Sequence, residues 1–466
     1  MNGWNATEFF RWVKGKKIAF IGVGVTNTDC IRLFAKKGAE VSVLDRKSRE
    51  QLGALADEFE QSGIRLVLGD GYLDGLIGYD AVFRAPGMYF HHPALEKARQ
   101  EGAVITSEME LFFRLCPCKT YAVTGSDGKT TTTTLIAEML KASGKKVYKG
   151  GNIGRALLPV VEEVSSDDAA VVELSSFQLI SMRQSPDVAV ITNVAPNHLD
   201  VHRDMQEYID SKKNLILHQD GFSRTVLNRD NAITRDMTGL VRGELLTFSR
   251  QEAPRFGAYL RQDGMLCMRC HGAETEILPM EQIQLPGLHN VENFLAAYSA
   301  VWGDVPVEIM ARTAREFGGV EHRMELVREL GGVKWYNDSI GTSPTRTIAG
   351  LKAFGQKIIL IAGGYDKKIP YEPLAPYLCE KVSHLILMGA TGPKIQQALE
   401  ACPDYDGQHP ALHWAESMEQ AVQTADGLAG SGDIVALSPA SASFDLYPNF
   451  EKRGEHFKRL VAALKP

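Results

Sequence analysis

Short apolar runs ending in glycine or in a polar pair alternate along this chain with stretches of helical character. Three blocks share the arrangement. The first, KKIAFIGVGVTNTDCIRLFAKKGAEVSVLD, passes from an apolar run through glycines into a helical stretch and then to a second apolar run ending at Asp45. That is a strand–helix–strand unit. The second opens with TYAVTGSDGKTTTTTLIAEMLKASGKKVYKGGNIG and continues through AAVVELSS, DVAVITNV and RTVLNRDN. The third holds KIILIAGGYDKK, HLILMGATG and DIVALSPAS, separated by helical segments. Such alternation predicts parallel sheets with helices on both faces, an α/β fold. One segment, YLRQDGMLCMRCHGAETEIL, reads instead as a hairpin. Boundaries are expected near Ile105 and near Gly318 and Gly319, dividing the chain into 1–106, 107–319 and 320–466. No repeat of solenoid period and no low-complexity segment interrupts the pattern.

Composition narrows the class. A chain of 466 residues suggests roughly two to four domains. With 44% hydrophobic and 23% charged residues it reads as an ordinary soluble globular protein. A net charge of −6 points away from nucleic-acid and membrane-surface partners. The N-terminal MNGWNATEFFRWVKGKK lacks a long apolar core and a small-residue cleavage site, and no apolar run reaches membrane-spanning length. The expectation is a cytoplasmic protein. Seven cysteines, an odd count, fit reduced thiols there. Cys267-Met-Arg-Cys270-His271 has the spacing of a haem-attachment motif. Without an export signal it reads as ordinary thiols, and Cys116-Pro-Cys118 reads the same way.

The first glycine turn, Gly22-Val-Gly24-Val-Thr26-Asn27, follows a strand and precedes a helix, with Asp45 ending the next strand. Amides at a helix N-terminus hold a pyrophosphate in dinucleotide sites of this form. The third glycine is absent, and Asn27 stands in its place. A side chain there hinders the close helix–strand packing of an NAD site. A tight turn without ligand and a site for another diphosphate, such as a UDP-sugar, both remain open.

The second glycine turn lies in VTGSDGKTTTTT, residues 123–134. The general phosphate-loop pattern asks for glycine where Val123 stands, and Gly125 supplies it two positions later. The chemistry is nevertheless that of a phosphate cradle. Gly125, Ser126, Asp127 and Gly128 allow backbone amides to converge on an anion. Lys129 supplies positive charge, and the Thr130 hydroxyl can ligate Mg²⁺. Thr131 and the threonines after it are poor helix formers, so packing must hold this helix. Glu173, ending AAVVELSS, is the natural acidic partner on a neighbouring strand. His198 and Asp200 follow another strand, at the edge where α/β proteins bind ligands. Lys212 and Lys213 fall in a helical segment, and the pattern does not choose between them.

This combination resembles the Mur ligases, ATP-dependent amide-forming enzymes of peptidoglycan precursor synthesis. Their shorter loop, T-G-x-x-G-K-[ST], matches residues 124–130. Other segments also fit: GGNIG at 150–154, VELSSFQL at 172–179, LPGLHNVENFLAA at 285–297, EHRMELV at 321–327 and LSPASASFDLYPNFEKRGEHF at 437–457. The resemblance therefore spans essentially the whole chain. The last segment, long and rich in unusual residues, is similar to members that add D-glutamate.

The resemblance implies three α/β domains: a Rossmann-like N-terminal domain for the UDP moiety, a central P-loop ATPase domain with a mainly parallel sheet, and a Rossmann-like C-terminal lid for the amino acid. It places Thr26, Asn27, Asp45, Arg46 and Gly87 near the uridine diphosphate, with Asn152 and His198 on the UDP-sugar substrate. Residues 125–131, Asn293, Arg323 and Asp338 are placed on ATP, with Asn293 toward the adenine and Arg323 toward the γ-phosphate. Thr130, Glu173 and His198 become metal ligands. It also selects Lys212, in register with Tyr208, as the lysine the family carbamylates to hold a second Mg²⁺. Thr342, Lys367, Ser443 and Phe450 are placed on D-glutamate. Lys129, Glu173, His198 and Lys212 thus form the implied catalytic set.

The implied substrates are ATP, UDP-N-acetylmuramoyl-L-alanine and D-glutamate, the implied cofactor is Mg²⁺ at two sites, and the chain is expected to act as a monomer. Two departures stand out. Asp127 occupies a position where many members have Asn, and Ile340 one where some have Lys. Rival readings are a ligase of the same superfamily with another acceptor and a non-catalytic UDP-sugar or ATP sensor. Retention of Lys129, Thr130, Glu173, Lys212 and Arg323 speaks against the sensor, which needs no γ-phosphate chemistry.

Overall fold

The apolar run KIAFI forms the strand Lys17–Ile21, four of whose five residues are buried. Burial on both faces is what a parallel strand between two helical layers requires. The computed structural model describes residues 4–196, 201–285, 287–366 and 369–465. In it, Lys17–Ile21 is central to a five-stranded parallel sheet ordered Arg65–Leu68, Glu40–Asp45, Lys17–Ile21, Ala81–Arg84, Val104–Thr106. The strands following it in sequence lie on opposite sides of it. The first glycine turn therefore sits at a topological switch point, where open α/β sheets bind ligands.

A second parallel sheet has six strands, ordered Glu244–Phe248, Arg224–Asn228, Val188–Ile191, Lys119–Thr124, Ala169–Glu173, Val147–Gly151. Lys119–Thr124 again occupies the middle. It feeds the helix Lys129–Ala142, in which Thr130 to Thr134 are all buried. A run of β-branched residues gains little from helix propensity. Packing against the apolar helix Leu288–Val301 holds it instead. The predicted hairpin is present and gains a third antiparallel strand, giving Gly257–Leu260, Met265–Cys270 and Ala273–Pro279. Cys267 and Cys270 lie in its middle strand as free thiols.

The fourth sheet is ordered Glu325–Leu330, Val333–Asn337, Ile434–Leu437, Ile358–Gly363, Val382–Met388, Ala411–Trp414. Its first strand is antiparallel, and the other five are mutually parallel. The apolar pattern did not reveal the antiparallel edge, because Glu325–Leu330 is only half-buried along its length. Gly331 and Gly332 turn it back with φ of +58° and +82°, the positive pair a tight two-residue hairpin demands.

The chain forms two compact units. One comprises residues up to Gln284 together with Leu288–Glu316. The other comprises Phe317 onward with Leu285–Gly287. The first unit carries the two parallel sheets just described and the antiparallel sheet, and the second unit carries the fourth sheet. No helix among the described residues is long and apolar enough to cross a membrane.

Candidate active site

Parallel strands in register end together, and here the ends carry chemistry. Val123 pairs with Glu173, Thr124 with Ile191, and Gly151 with Glu173. The loop after Thr124, the carboxylate of Glu173, Asn152 and the segment Thr192–Asn193 thus reach the same sheet edge.

The loop is held from below by side chains outside it. Thr192 Oγ1 donates to the Asp127 carbonyl at 2.6 Å, and Asn193 Oδ1 accepts from the Asp127 amide at 2.9 Å. The Ser126 amide donates to the Asn193 carbonyl at 2.9 Å. Ser126 Oγ accepts from the Ala195 amide at 2.9 Å and lies 3.0 Å from the Tyr208 hydroxyl. Gly128 closes the loop with φ +79° and caps the helix. The Lys129 ammonium turns back over the loop, donating to the carbonyls of Gly125 at 3.0 Å and Ser126 at 2.9 Å. Asp127, whose place in the loop was open at the level of sequence, is pinned through its backbone while its side chain stands exposed. Thr192 and Asn193 were not singled out from sequence, although their position after an apolar strand at the ligand edge is the signal that could have found them.

Structure separates the two lysines. Lys213 pairs with Asp210 on the surface at 2.8 Å. Lys212 is fully buried under the loop, its Nζ donating to the Gly125 carbonyl at 3.0 Å and Thr124 Oγ1 at 3.3 Å. Its ammonium stands over the Tyr208 ring, 4.6 Å from the centroid. Burial, helped by the charge of Lys129, pushes the Lys212 amine well below the usual lysine range. Glu173 is equally buried. One of its oxygens accepts from Asn152 Nδ2 at 2.8 Å, and the other has no hydrogen-bond partner. An orphaned buried carboxylate oxygen at the sheet edge from which the phosphate-type loop and Thr130 emerge is chemistry suited to a hard divalent cation. Thr130 and Glu173 are therefore residues that could hold Mg²⁺. His198 lies outside the described residues.

Asn293 reaches the loop from the helix Leu288–Val301. Its Oδ1 accepts from Thr132 Oγ1 at 3.3 Å, and its Nδ2 donates to Asn290 Oδ1 at 3.1 Å.

At the first glycine turn, Asn27 explains the missing third glycine. Its side chain is buried and donates to the carbonyls of Ile21 and Gly22, both at 3.0 Å. The residue that would spoil an NAD site thus braces the end of the strand. Asp45 accepts from the Val23 amide at 2.6 Å and the Lys47 amide at 2.8 Å, which stiffens the turn. Thr26 lies in the first turn of the following helix, while Arg46 and Gly87 are exposed.

Arg84, not anticipated from sequence, joins the two parallel sheets. The side chain is 2% exposed. One terminal nitrogen donates to the Ala85, Pro86 and Met88 carbonyls, which shape the turn around Gly87. The other donates to the Phe177 carbonyl at 2.8 Å and to Ser181 Oγ at 3.1 Å, in the segment following the Glu173 strand. Tyr89 adds a second tie through its hydroxyl, which donates to Glu207 at 2.7 Å on the helix that carries Lys212. Burial alone would raise the Glu207 carboxyl. The Arg203 amide, the Tyr89 hydroxyl and the Arg203 guanidinium outweigh it and hold the group at about 2.

In the second unit, Asp338 is buried, accepting from Ser438 Oγ at 2.6 Å and the Met324 amide at 3.3 Å. Burial raises its carboxyl to about 6. Ser443 is buried and Thr342 half-buried. Phe450 begins the helix Phe450–Ala463. Lys367 lies outside the described residues.

Family models match three successive stretches of the chain. They are the Mur ligase MurD-like N-terminal domain at 16–107, the Mur ligase middle domain at 123–301, and the Mur ligase glutamate ligase domain at 322–441. The UDP-N-acetylmuramoylalanine–D-glutamate ligase of Acetivibrio thermocellus is 50% identical over 460 residues, covering 98% of each chain. The chain belongs to the Mur ligase family. The Clostridium novyi protein of the same name is 48% identical over 454 residues, 97% of this chain and 98% of that one.

Among solved structures, the Mur ligase fold is matched by UDP-N-acetylmuramate-alanine ligase from Thermotoga maritima. Its TM-score is 0.57 at 16% identity, over 97% of this chain and 100% of that one. A pseudomurein peptide ligase type C from Methanothermus fervidus gives 0.53 at 18%, with the same coverage. These two likenesses concern the fold. In Mur ligase terms the buried loop, Lys129, Glu173 and Lys212 all fall within the middle-domain match, and the Asn27 turn falls within the N-terminal one.

Proposed function

We propose that this chain is an ATP-dependent ligase that joins D-glutamate to UDP-N-acetylmuramoyl-L-alanine in peptidoglycan precursor synthesis, releasing ADP and phosphate. The observation that carries the ligase chemistry is the convergence of the 125–130 loop, Lys129, Lys212 and the orphaned Glu173 oxygen on one sheet edge. The D-glutamate acceptor rests on residues 437–457 and on the names of relatives at about half identity over the full chain.

In this reading the loop amides and Lys129 hold the ATP phosphates, and Lys129 exchanges its bonds to the loop carbonyls for bonds to phosphate oxygens. The γ-phosphoryl group passes to the alanyl carboxylate, forming an acyl phosphate and ADP. The D-glutamate amine attacks the acyl carbon, and inorganic phosphate leaves from the tetrahedral intermediate with the C–O bond. Positioning and charge neutralisation supply most of the rate in such transfers. Mg²⁺, held by Thr130 and Glu173 and at a second site by a carbamate on Lys212, would offset negative charge on the phosphates.

The buried, desolvated Lys212 amine suits addition of CO₂, which forms an N–C bond and releases one proton. The carbamate keeps one N–H for the Gly125 carbonyl and gains two oxygens. Asn152 and His198 are assigned to the UDP-sugar substrate, Asn293, Arg323 and Asp338 to the nucleotide, and Thr342, Lys367, Ser443 and Phe450 to the amino acid. The domains are assigned as 1–106, 107–319 and 320–466, and the enzyme as a cytoplasmic monomer.

Phosphate release from ATP tests the reading. With UDP-N-acetylmuramoyl-L-alanine, release is expected to depend on D-glutamate. Release with another amino acid but not D-glutamate would overturn the acceptor. No amino-acid-dependent release at all would overturn the ligase.

A further inference from the structure

Three adjacent parallel strands of the second unit, Val333–Asn337, Ile434–Leu437 and Ile358–Gly363, end at one edge. The loops leaving them carry Thr342, Ser443 and Tyr365. One side chain ties the first two loops together, and the third is joined to them through its backbone. Arg453, in the first turns of the helix Phe450–Ala463, is 2% exposed. Its Nε donates to Ser339 Oγ at 3.1 Å. One terminal nitrogen donates to the Ser441 carbonyl at 3.2 Å and the Ala442 carbonyl at 2.9 Å. The other donates to the Ser339 carbonyl at 2.9 Å and the Ser441 carbonyl at 3.2 Å. Ser339 Oγ in turn donates to the Phe450 carbonyl at 2.8 Å, and the Tyr365 amide donates to the Ala442 carbonyl at 2.9 Å.

Every acceptor around this guanidinium is neutral. Among the described residues no carboxylate lies within ion-pair distance of it. Asp445 and Asp338 act on it only from farther off, and burial lowers it to about 10. A buried cation without a contacting counter-ion is costly unless something else returns the charge balance. Five hydrogen bonds donated to neutral oxygens satisfy its geometry and leave its charge. The amino end of a 14-residue helix adds a positive pole at the same place, with Asn449 capping it through the Lys452 amide at 2.8 Å.

We infer that Arg453 is a positioning residue for the acceptor amino acid: it fixes the loops that bear Thr342 and Ser443 to the start of the helix at Phe450, and supplies the positive field that favours a dicarboxylate. The inference rests on the acceptor assignment proposed above. A strictly structural arginine would affect every ligand or the fold alike. A field-supplying arginine acts on the anionic acceptor selectively.

The test compares the full-length wild type with R453K, R453Q and R453M, measuring KM for D-glutamate, ATP and the UDP-sugar. In R453Q and R453M, KM for D-glutamate is expected to rise about tenfold or more, roughly the effect of one unit charge several ångströms away. In R453K, which keeps the charge but loses the fork, the rise should stay near threefold or less, by rough analogy with other Arg-to-Lys exchanges. KM for ATP and for the UDP-sugar should be unchanged in all three. Equal KM for D-glutamate across the variants would overturn the inference, as would a rise shared by ATP and the UDP-sugar or a loss in R453K as large as in R453Q. Should R453M fail to fold, the R453Q and R453K pair decides. A wild type that ignores D-glutamate would overturn the acceptor assignment instead, so the two failures are distinguishable.

Discussion

Gly128 and Asn293 are in such close contact that a methyl group on the glycine would overlap the asparagine Oδ1. Gly128 also has φ +79°, a conformation that costs a side chain about 1 kcal/mol. Gly128→Ala must therefore either strain the loop or push Asn293 away from Thr132 and Asn290, at about 1 kcal/mol for each lost bond. ADP affinity measured by calorimetry is expected to fall at least about tenfold, the equivalent of roughly 1.4 kcal/mol. Thermal stability should fall by only a few degrees. Unchanged ADP binding would mean that the loop is not a phosphate cradle.

Lys212 and Lys213 offer an internal control. Lys212→Ala is expected to lower kcat by about 100-fold or more, the scale seen when one preorganised charge-stabilising group is removed. Short-chain carboxylic acids should restore part of it by placing an oxygen ligand in the vacated space. Lys213→Ala, which removes only a surface pair, should leave activity within about twofold. Full activity in Lys212→Ala would refute the carbamate.

Glu108 makes folding pH-dependent. One of its oxygens accepts from both the Leu157 and Leu158 amides at 2.8 Å, while the other is buried without a partner. Burial raises the carboxyl from 4.5 to about 7, against the lowering effect of those amides. The folded protein therefore holds a proton that the unfolded chain releases across that interval. This contribution to stability is fully present below the unfolded value and is lost as pH rises toward about 7. Its size is on the order of 3 kcal/mol. Glu108→Gln removes the titration. In urea unfolding, the loss of stability between about pH 5 and about pH 8 should shrink by an amount of that order. An unchanged slope would show that Glu108 stays ionised in the fold.

Much of the parallel architecture was legible because fully buried strands such as Ile358–Gly363 are continuous apolar runs that end in glycine. The antiparallel strand Glu325–Leu330 was not, since a half-polar edge strand has no such run. Within the candidate site, residues whose type suits a ligand, such as Lys129 and Glu173, could be named from the chain. Those that act through shape could not. Arg84 and Arg453 look like surface charges in sequence, and only the packed structure shows that both are buried, with donors spent partly on segments far along the chain, Phe177 and Ser181 for the first and Ser339 for the second. Thr192 and Asn193 were hidden for a related reason, since what they bind is the loop's backbone. Choosing Lys212 over Lys213 needed a family resemblance at the sequence level. The fold makes the distinction physical, placing one in the interior and the other on the surface.

Arg84 has a consequence for the cost of ligand binding. One guanidinium grips both the turn around Gly87 and the helix start after Glu173, so these two segments are fixed to each other before any ligand arrives. Little ordering of these two segments remains to be done when a ligand arrives, which lowers the entropic cost of binding.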